Sequence, residues 1–137
     1  MKASNTEPYP PLPGWADVFG SSVALSADGN LLAVGAWGEG SFRTGVGSGA
    51  YVLEGQTTDI GAAYTFKRAG VTWTQEAYIK SSRVGQDQFG RNVAVSADGN
   101  TIAVGAWQED SNATGINGDE VDTSAVNNGA VYVFIAQ

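Results

Sequence analysis

The sequence predicts an all-β protein in which one structural unit occurs twice, and three observations carry this prediction. Residues 19–37 and 89–107 align over nineteen residues at a constant offset of 70 and differ at only five positions. Short apolar segments alternate with Asp-Gly-Asn turns, a pattern typical of β-hairpins, and no segment has helical periodicity. Repetition of this kind is typical of propellers, solenoids and arrays, whose units cannot bury their apolar faces alone.

The first copy contains four predicted strands. Val23 and Leu25 alternate with small or polar residues, as expected for a strand with one covered face. Residues 26–30 (SADGN) form a predicted hairpin turn, in which Gly29 can adopt a positive φ. The return strand is apolar or small on both faces, so we expect it to be covered on both sides. The three later strands of this copy are predicted at 31–37, 62–67 and 71–80.

The second copy contains only three predicted strands, near 91–96, 101–107 and 130–135. Four antiparallel strands in a unit of about 70 residues are typical of a β-propeller blade. We therefore predict a first blade over residues 19–80 and a second blade over residues 81–137 that lacks its outer strand within the chain. Residues 1–18 contain all four prolines and are predicted to be an extended segment without regular structure.

Composition argues against several classes of function. The chain has no Cys and no His, which excludes disulfides, thiolate catalysis and Ser-His catalytic pairs, so we expect no enzyme activity. The net charge of −7 argues against nucleic acid and anionic membrane surfaces as partners, because binding to either needs basic patches. No apolar run is long enough for membrane insertion, and no hydrophobic segment follows Met1, so no signal peptide is predicted.

Two pairs of motifs resemble a known repeat. Phe19-Gly20 with Val34-Gly35-Ala36, and Phe89-Gly90 with Val104-Gly105-Ala106, resemble the FG-GAP repeat of integrin α-subunit propellers. The resemblance is closest to bacterial integrin-like FG-GAP repeat proteins, and it covers nearly the whole chain. It implies a β-propeller with a non-enzymatic role in adhesion or ligand recognition, either outside the cell or at the cell surface.

The predicted fold also implies partners, because propellers need about four to eight blades to close. Two blades leave open sheet faces and an unpaired strand edge at residues 131–135. We expect either that copies of the chain complete the ring, as a trimer with six blades or a tetramer with eight, or that further repeats of a longer parent protein do so. A structural, self-assembling unit is therefore the alternative function.

Calcium is the candidate cofactor, because the resemblance implies a D-x-D-x-D-G calcium loop between the first two strands of a blade. Asp28 and Asp98 stand alone in that place, so we interpret them as turn-forming residues. Residues 110–115 in the second long loop fit D-x-N-x-T-G, which places oxygen-bearing side chains at alternate positions. The candidate calcium ligands are Asp110, Asn112, Thr114, Asp119 and Asp122. A solvated acidic loop without metal is the alternative.

Two long loops, 38–60 and 108–128, are the candidate ligand surface, because long loops of compact domains are often functional. They occupy the same place in each copy, so we expect them to project on one side and to contact a protein or a glycan. Trp37 and Trp107 end equivalent strands, where they either pack between blades or stack on sugars, as in a lectin. The candidate ligand-binding residues are Phe42, Arg43, Tyr51, Trp37 and Trp107.

Overall fold

The computed structural model describes residues 1–4, 16–47 and 59–135. Within these ranges the chain forms eight β-strands and no helix. The strands are β1 (Ser22–Leu25), β2 (Leu31–Ala36), β3 (Val46–Gly47), β4 (Ala62–Ala69), β5 (Thr72–Ile79), β6 (Phe89–Val95), β7 (Thr101–Ala106) and β8 (Ala130–Ile135).

The strands form two antiparallel sheets, which we call blade 1 and blade 2. Blade 1 has the strand order β1-β2-β4-β5-β3. Blade 2 has the order β6-β7-β8, so β8 is an edge strand of the described sheet. The predicted all-β class is confirmed, as are the four strands expected in the first copy and the three expected in the second.

A short strand that the sequence pattern does not reveal extends blade 1. The sequence places residues 38–60 in a loop, whereas Val46–Gly47 form β3 and pair with the end of β5. A backbone hydrogen bond from Lys80 N to Gly45 O (2.9 Å) continues this pairing. Two residues are too short for an alternating pattern, which is why the sequence cannot predict them. The added strand shields part of the outer edge of β5, which would otherwise be available for pairing.

The first hairpin turn of each blade is organised by an aspartate. Asp28 Oδ1 accepts hydrogen bonds from Ser26 Oγ (2.5 Å) and Asn30 N (3.0 Å), and Asp98 makes the equivalent bonds in blade 2. These hydrogen bonds favour the charged carboxylate and lower the pKa of Asp28 to about 2. The interpretation of both aspartates as turn-forming residues is confirmed.

Each blade contains the same aromatic cluster. The ring of Phe19 lies 5.3 Å from that of Tyr64, edge to face, and the ring of Phe89 lies 5.3 Å from that of Tyr132 in the same arrangement. Edge-to-face contacts of this kind add to the free energy of burial. The repeated Phe-Gly motif therefore places one phenylalanine against β4 in blade 1 and one against β8 in blade 2.

Blade 2 packs against one face of blade 1. The buried apolar residues of this interface are Ala63, Ile79, Phe89, Val104 and Ala106. Phe89 is fully buried between the two sheets. Gly35 permits the close approach of the blades, because a methyl group at this position would collide with the carbonyl oxygen of Gly90. Gly35 and Gly90 therefore help to set the distance between the blades.

The first residues of the chain also pack against blade 1. Ala3 is buried in the apolar core of that blade, and Ser4 N donates a hydrogen bond to Gln75 Oε1 (3.2 Å). The described parts of the predicted extended segment, residues 1–4 and 16–18, contain no strand or helix. The rest of that segment lies outside the described residues.

Candidate functional site

Two of the candidate ligand-binding residues meet at one arginine. The guanidinium carbon of Arg91 lies 5.0 Å from the ring centroid of Trp37 and 4.9 Å from that of Trp107. We call this arrangement the Trp–Arg–Trp stack. Gln88 Oε1 accepts hydrogen bonds from Trp107 Nε1 (2.6 Å) and Arg91 Nη1 (2.7 Å), which fixes both groups. Because Trp37 belongs to the end of blade 1 and Arg91 to blade 2, the stack joins the blades.

Arg91 was not among the candidates from the sequence, although a signal for it exists. It occupies one of the five positions at which the two nineteen-residue copies differ, with Ser21 as its counterpart. Trp107 is more than half exposed, whereas Trp37 is half-buried. Arg91 and Trp107 also line a shallow cleft of about 390 Å³. Of the two tryptophans, Trp107 is therefore the more accessible to a ligand.

The remaining ligand candidates lie in the loop that follows β2. Phe42 and Arg43 are exposed, and Tyr51 lies outside the described residues. The loop is anchored by Ser41, which is buried and whose Oγ lies 2.6 Å from the hydroxyl of Tyr78. Phe42 and Arg43 are thus presented to solvent from a fixed base at the outer side of blade 1.

The candidate calcium ligands lie in residues 108–128, which we call the acidic loop. Its carboxylates bind the loop's own backbone. Asp110 Oδ1 accepts from Asn127 N (2.8 Å), and Asp119 Oδ1 accepts from Val121 N (2.9 Å). Asp122 Oδ1 accepts from Ser124 N (2.8 Å). Asn112 and Thr114 are exposed.

The acidic loop shows no ready-made cation site. In the described part of the chain, no three His, Cys, Asp or Glu side chains converge as metal ligands would. Calcium takes six to eight oxygen ligands, which include carbonyl and amide oxygens as well as carboxylates. The calcium site stays a prediction, and a calorimetric titration with calcium tests it.

Buried charges occur at the same end of both blades, and the sequence analysis did not identify them. In blade 1, Lys80 Nζ and Glu39 Oε2 form an ion pair from which water is excluded. Burial lowers the pKa of Lys80, while the charge of Glu39 opposes this effect. The available signal was the repetition of Glu39 as Glu109 at the same offset of 70.

In blade 2 the equivalent charges are arranged differently, in what we call the buried charge cluster of Arg83, Asp87 and Glu109. Arg83 donates to Asp87 Oδ1 from its terminal nitrogen (2.9 Å) and to Glu109 Oε1 from Nε (3.3 Å). Asp87 Oδ2 is buried and has no hydrogen-bond partner among the described residues. Burial raises the pKa of Asp87 to about 6, and the charge of Glu109 adds to the rise, although Arg83 opposes it.

Comparison with known families identifies the repeated unit. Residues 73–134, just under half of the chain, match the family model of the FG-GAP repeat. This chain carries an FG-GAP repeat. No curated protein and no solved structure matches the chain significantly. FG-GAP repeat proteins are generally not enzymes and are typically extracellular. Among the residues that the structure describes, no helix is long and apolar enough to cross a membrane.

The matched FG-GAP segment does not coincide with one blade. It begins within β5 at Trp73 and ends within β8 at Phe134. One sequence repeat therefore contains most of β5 of blade 1 together with the three strands of blade 2. A repeat unit that begins in one blade and ends in the next connects the two blades.

Proposed function

We propose that this FG-GAP protein is a non-enzymatic module for adhesion or ligand recognition at a cell surface or outside the cell. The observation that carries the proposal is the exposure of apolar side chains on the acidic loop. Ile116, Val121 and Val126 are 93%, 85% and 75% exposed. These three side chains are the apolar surface that we propose a partner covers. Phe42 presents a further exposed ring from the corresponding loop of blade 1.

The difference between the two loops supports recognition rather than a general covering role. The strands of the two copies match closely, whereas the segments after Trp37 and Trp107 differ at most positions, with only a few residues such as Ser41 and Ser111 in common. A loop that only covers a blade edge would keep the same contacts in both copies. The FG-GAP strands serve as the scaffold, and the loops carry the specificity.

An array of extracellular-matrix proteins and glycans tests this function. The labelled full-length protein is expected to bind at least one component, and the triple variant Ile116→Ser/Val121→Ser/Val126→Ser is expected to lose that binding. Val71→Ser is the matched control, because Val71 is equally exposed but lies in the turn between β4 and β5. Absence of binding to every component, or equal binding by the triple variant, would count against the proposal.

A lectin is the second candidate, and the Trp–Arg–Trp stack supports it. Trp107 borders a cleft whose other lining residues include Asn92 and Asn128, so an aromatic face and amide groups lie together. Sugars bind through this combination of stacking and hydrogen bonds. On the glycan part of the array, Trp107→Ala is expected to abolish binding, and Trp37→Ala is expected to weaken it. Binding that survives both substitutions would rule out this site.

Self-assembly is the third candidate, and the exposed faces of the blades support it. Val93 of blade 2 packs against blade 1, whereas its counterpart Val23 is exposed. Ala63 of blade 1 is 1% exposed within the same interface, whereas its counterpart Val131 is 72% exposed. Each of the two sheet faces that meet within the chain therefore has an exposed counterpart, one on blade 1 at Val23 and one on blade 2 at Val131. Stacking of copies through these faces gives a head-to-tail ring.

Light scattering coupled to size-exclusion chromatography tests self-assembly. A trimer or a tetramer would support a ring with six or eight blades, and Val131→Glu is expected to dissociate it. Because Val131 is exposed in the single chain, this substitution should leave the fold of the monomer unchanged. A folded monomer at high concentration would exclude the ring of copies.

A further inference from the structure

We propose that Asn117, in the acidic loop, is a site of spontaneous covalent modification, at which the backbone nitrogen of Gly118 converts the asparagine into aspartate and isoaspartate. The reaction needs no enzyme and no cofactor, and water is its only co-reactant. Asparagine is one of the chemically labile residues of proteins. A following glycine favours the reaction, because it has no Cβ to hinder its own backbone nitrogen. The modification of Asn117 holds whichever ligand the loops recognise.

The chemistry consists of ring closure followed by hydrolysis. The Gly118 nitrogen gives up its proton to hydroxide and bonds to Asn117 Cγ. The side-chain nitrogen then takes up a proton from water and leaves as ammonia, which closes a five-membered succinimide ring. Water opens this ring at Cγ to give aspartate, or at the backbone carbonyl to give isoaspartate, in which the chain runs through the side-chain carbon. No step oxidises or reduces the protein.

The backbone around Asn117 is free to reach the geometry of attack. Asn117 is exposed, and so is Ile116 before it. Within the described chain, no backbone N–H group of residues 112–118 donates a hydrogen bond. Packing also requires a glycine at position 118, since a Cβ there would lie 2.7 Å from Ala113 Cβ. The loop therefore combines a reactive pair of residues with an unrestrained backbone.

A second Asn-Gly pair, Asn128–Gly129, shows what restraint does. Asn-Gly occurs only at these two places in the sequence, and Asn128 is exposed like Asn117. Gly129 N, however, donates a hydrogen bond to Glu109 O (2.9 Å). On the other side of Asn128, Asn127 N donates to a carboxylate oxygen of the acidic loop (2.8 Å). Attack at Asn128 first requires this end of the loop to open, so we expect it to be slow.

The Asp-Gly turns of the two blades are protected in the same way. An aspartate can close the same ring with loss of water, but Gly29 N donates to Ser26 O (2.9 Å), and the turn at Asp98 repeats this bond. Hydrogen bonds also lower the pKa of Asp28 to about 2, so its carboxyl group stays ionised and is a poor electrophile. Asn117 is thus the residue at which the described chain permits ring closure.

The modification changes the surface of the acidic loop. It adds a negative charge between Ile116 and Asp119, and isoaspartate also lengthens the backbone by one carbon. Ile116 is one of the apolar side chains that we propose a partner covers, and a new charge beside it would have to be desolvated on binding. We therefore expect modified protein to bind that partner more weakly. This consequence rests on the proposed function, whereas the modification itself does not.

Peptide mapping by mass spectrometry tests the modification on the full-length protein during incubation in mildly alkaline buffer. Fragmentation assigns the mass gained when the amide becomes a carboxyl group to one residue, and labelling with protein isoaspartyl methyltransferase detects isoaspartate. Asn117 is expected to convert about tenfold or more faster than Asn128 in the folded protein. In concentrated urea the two sites should react at nearly equal rates, because the hydrogen bond of Gly129 is lost.

Two variants serve as matched controls. Asn117→Gln should remove the fast product, since its longer side chain closes a six-membered ring more slowly, and Asn128→Gln should leave the rate at Asn117 unchanged. Equal rates at the two sites in the folded protein would overturn the proposal, as would an unmodified Asn117 after an incubation that converts it in urea. On the ligand array, Asn117→Asp tests the consequence separately: unchanged binding would disprove the effect on recognition, while the mass map would still decide the modification.

Discussion

The two blades are built from nearly the same strands, yet their equivalent residues lie in different surroundings. Phe89 is fully buried between the blades, whereas Phe19, at the same place in blade 1, is only half-buried. Each ring lies 5.3 Å from the ring of a tyrosine in its own blade, Tyr64 of β4 or Tyr132 of β8. The repeated motif therefore determines the contacts within a blade, and the neighbouring blade determines how much each residue contributes to stability.

The first prediction separates these two contributions by removing the same ring from each blade. Phe89→Ala should lower the free energy of unfolding by about 4 kcal/mol, since it empties a fully buried site. Phe19→Ala should cost about 2 kcal/mol, because part of that ring already contacts water. Urea denaturation followed by circular dichroism measures both. Equal losses of unfolding free energy would mean that burial of Phe89 between the blades adds no stability beyond the contacts that each ring makes within its own blade.

The second prediction compares the glycines of the two Val-Gly-Ala motifs. A methyl group at Gly35 would collide with the carbonyl oxygen of Gly90 across the blade interface, whereas one at Gly105 would meet Asn92 Cβ at an ordinary 3.8 Å. Gly35→Ala should therefore cost about 2 kcal/mol or more. Gly105→Ala should change stability by less than about 0.5 kcal/mol. Thermal melts of the two variants measure the difference, and a destabilised Gly105→Ala monomer would contradict the packing described for blade 2.

The third prediction uses the buried carboxylate that distinguishes the end of blade 2. The pKa of Asp87 is raised to about 6 in the folded protein from its ordinary value of 3.8, so the folded state binds the proton more tightly. The stabilisation that the folded protein gains from binding this proton is fully present below the ordinary pKa of 3.8 and is lost as the pH rises through about 6. Between about pH 5 and about pH 7 the protein should lose about 1 kcal/mol from this group.

Asp87→Asn should remove this loss, because an amide does not titrate. Asp98→Asn is the control, since hydrogen bonds lower the pKa of Asp98 and it titrates below this range. Urea midpoints at the two pH values, measured for wild type and both variants, give the comparison. If Asp87→Asn kept the full pH dependence, a different group would have to be responsible.

The sequence predicts what is local in this fold and misses contacts between residues that lie far apart in the chain. Alternation around Val23 and the turn at Asp28 depend on neighbouring residues, so the strands and the hairpins were predictable. The pairing of Lys80 with Glu39 joins residues 41 positions apart, and no local pattern reveals such a pair. Arg91 stood out only as a difference between the copies, and its role required the positions of two tryptophans from different blades.

The smallest expected effect concerns that arginine. Arg91→Ser gives blade 2 the residue that blade 1 has at Ser21, and it removes the cation from between Trp37 and Trp107. The substitution should lower the free energy of unfolding by about 1 kcal/mol, because it removes two cation–π contacts that each contribute about 0.5 kcal/mol at an exposed site. Urea denaturation and tryptophan emission should both respond, because the two rings lose a shared neighbour. Arg43→Ser is the matched control, because Arg43 is exposed in the loop after β2. Equal stability of the Arg91→Ser variant and wild type would show that the cation between the two tryptophans does not help to hold the blades together.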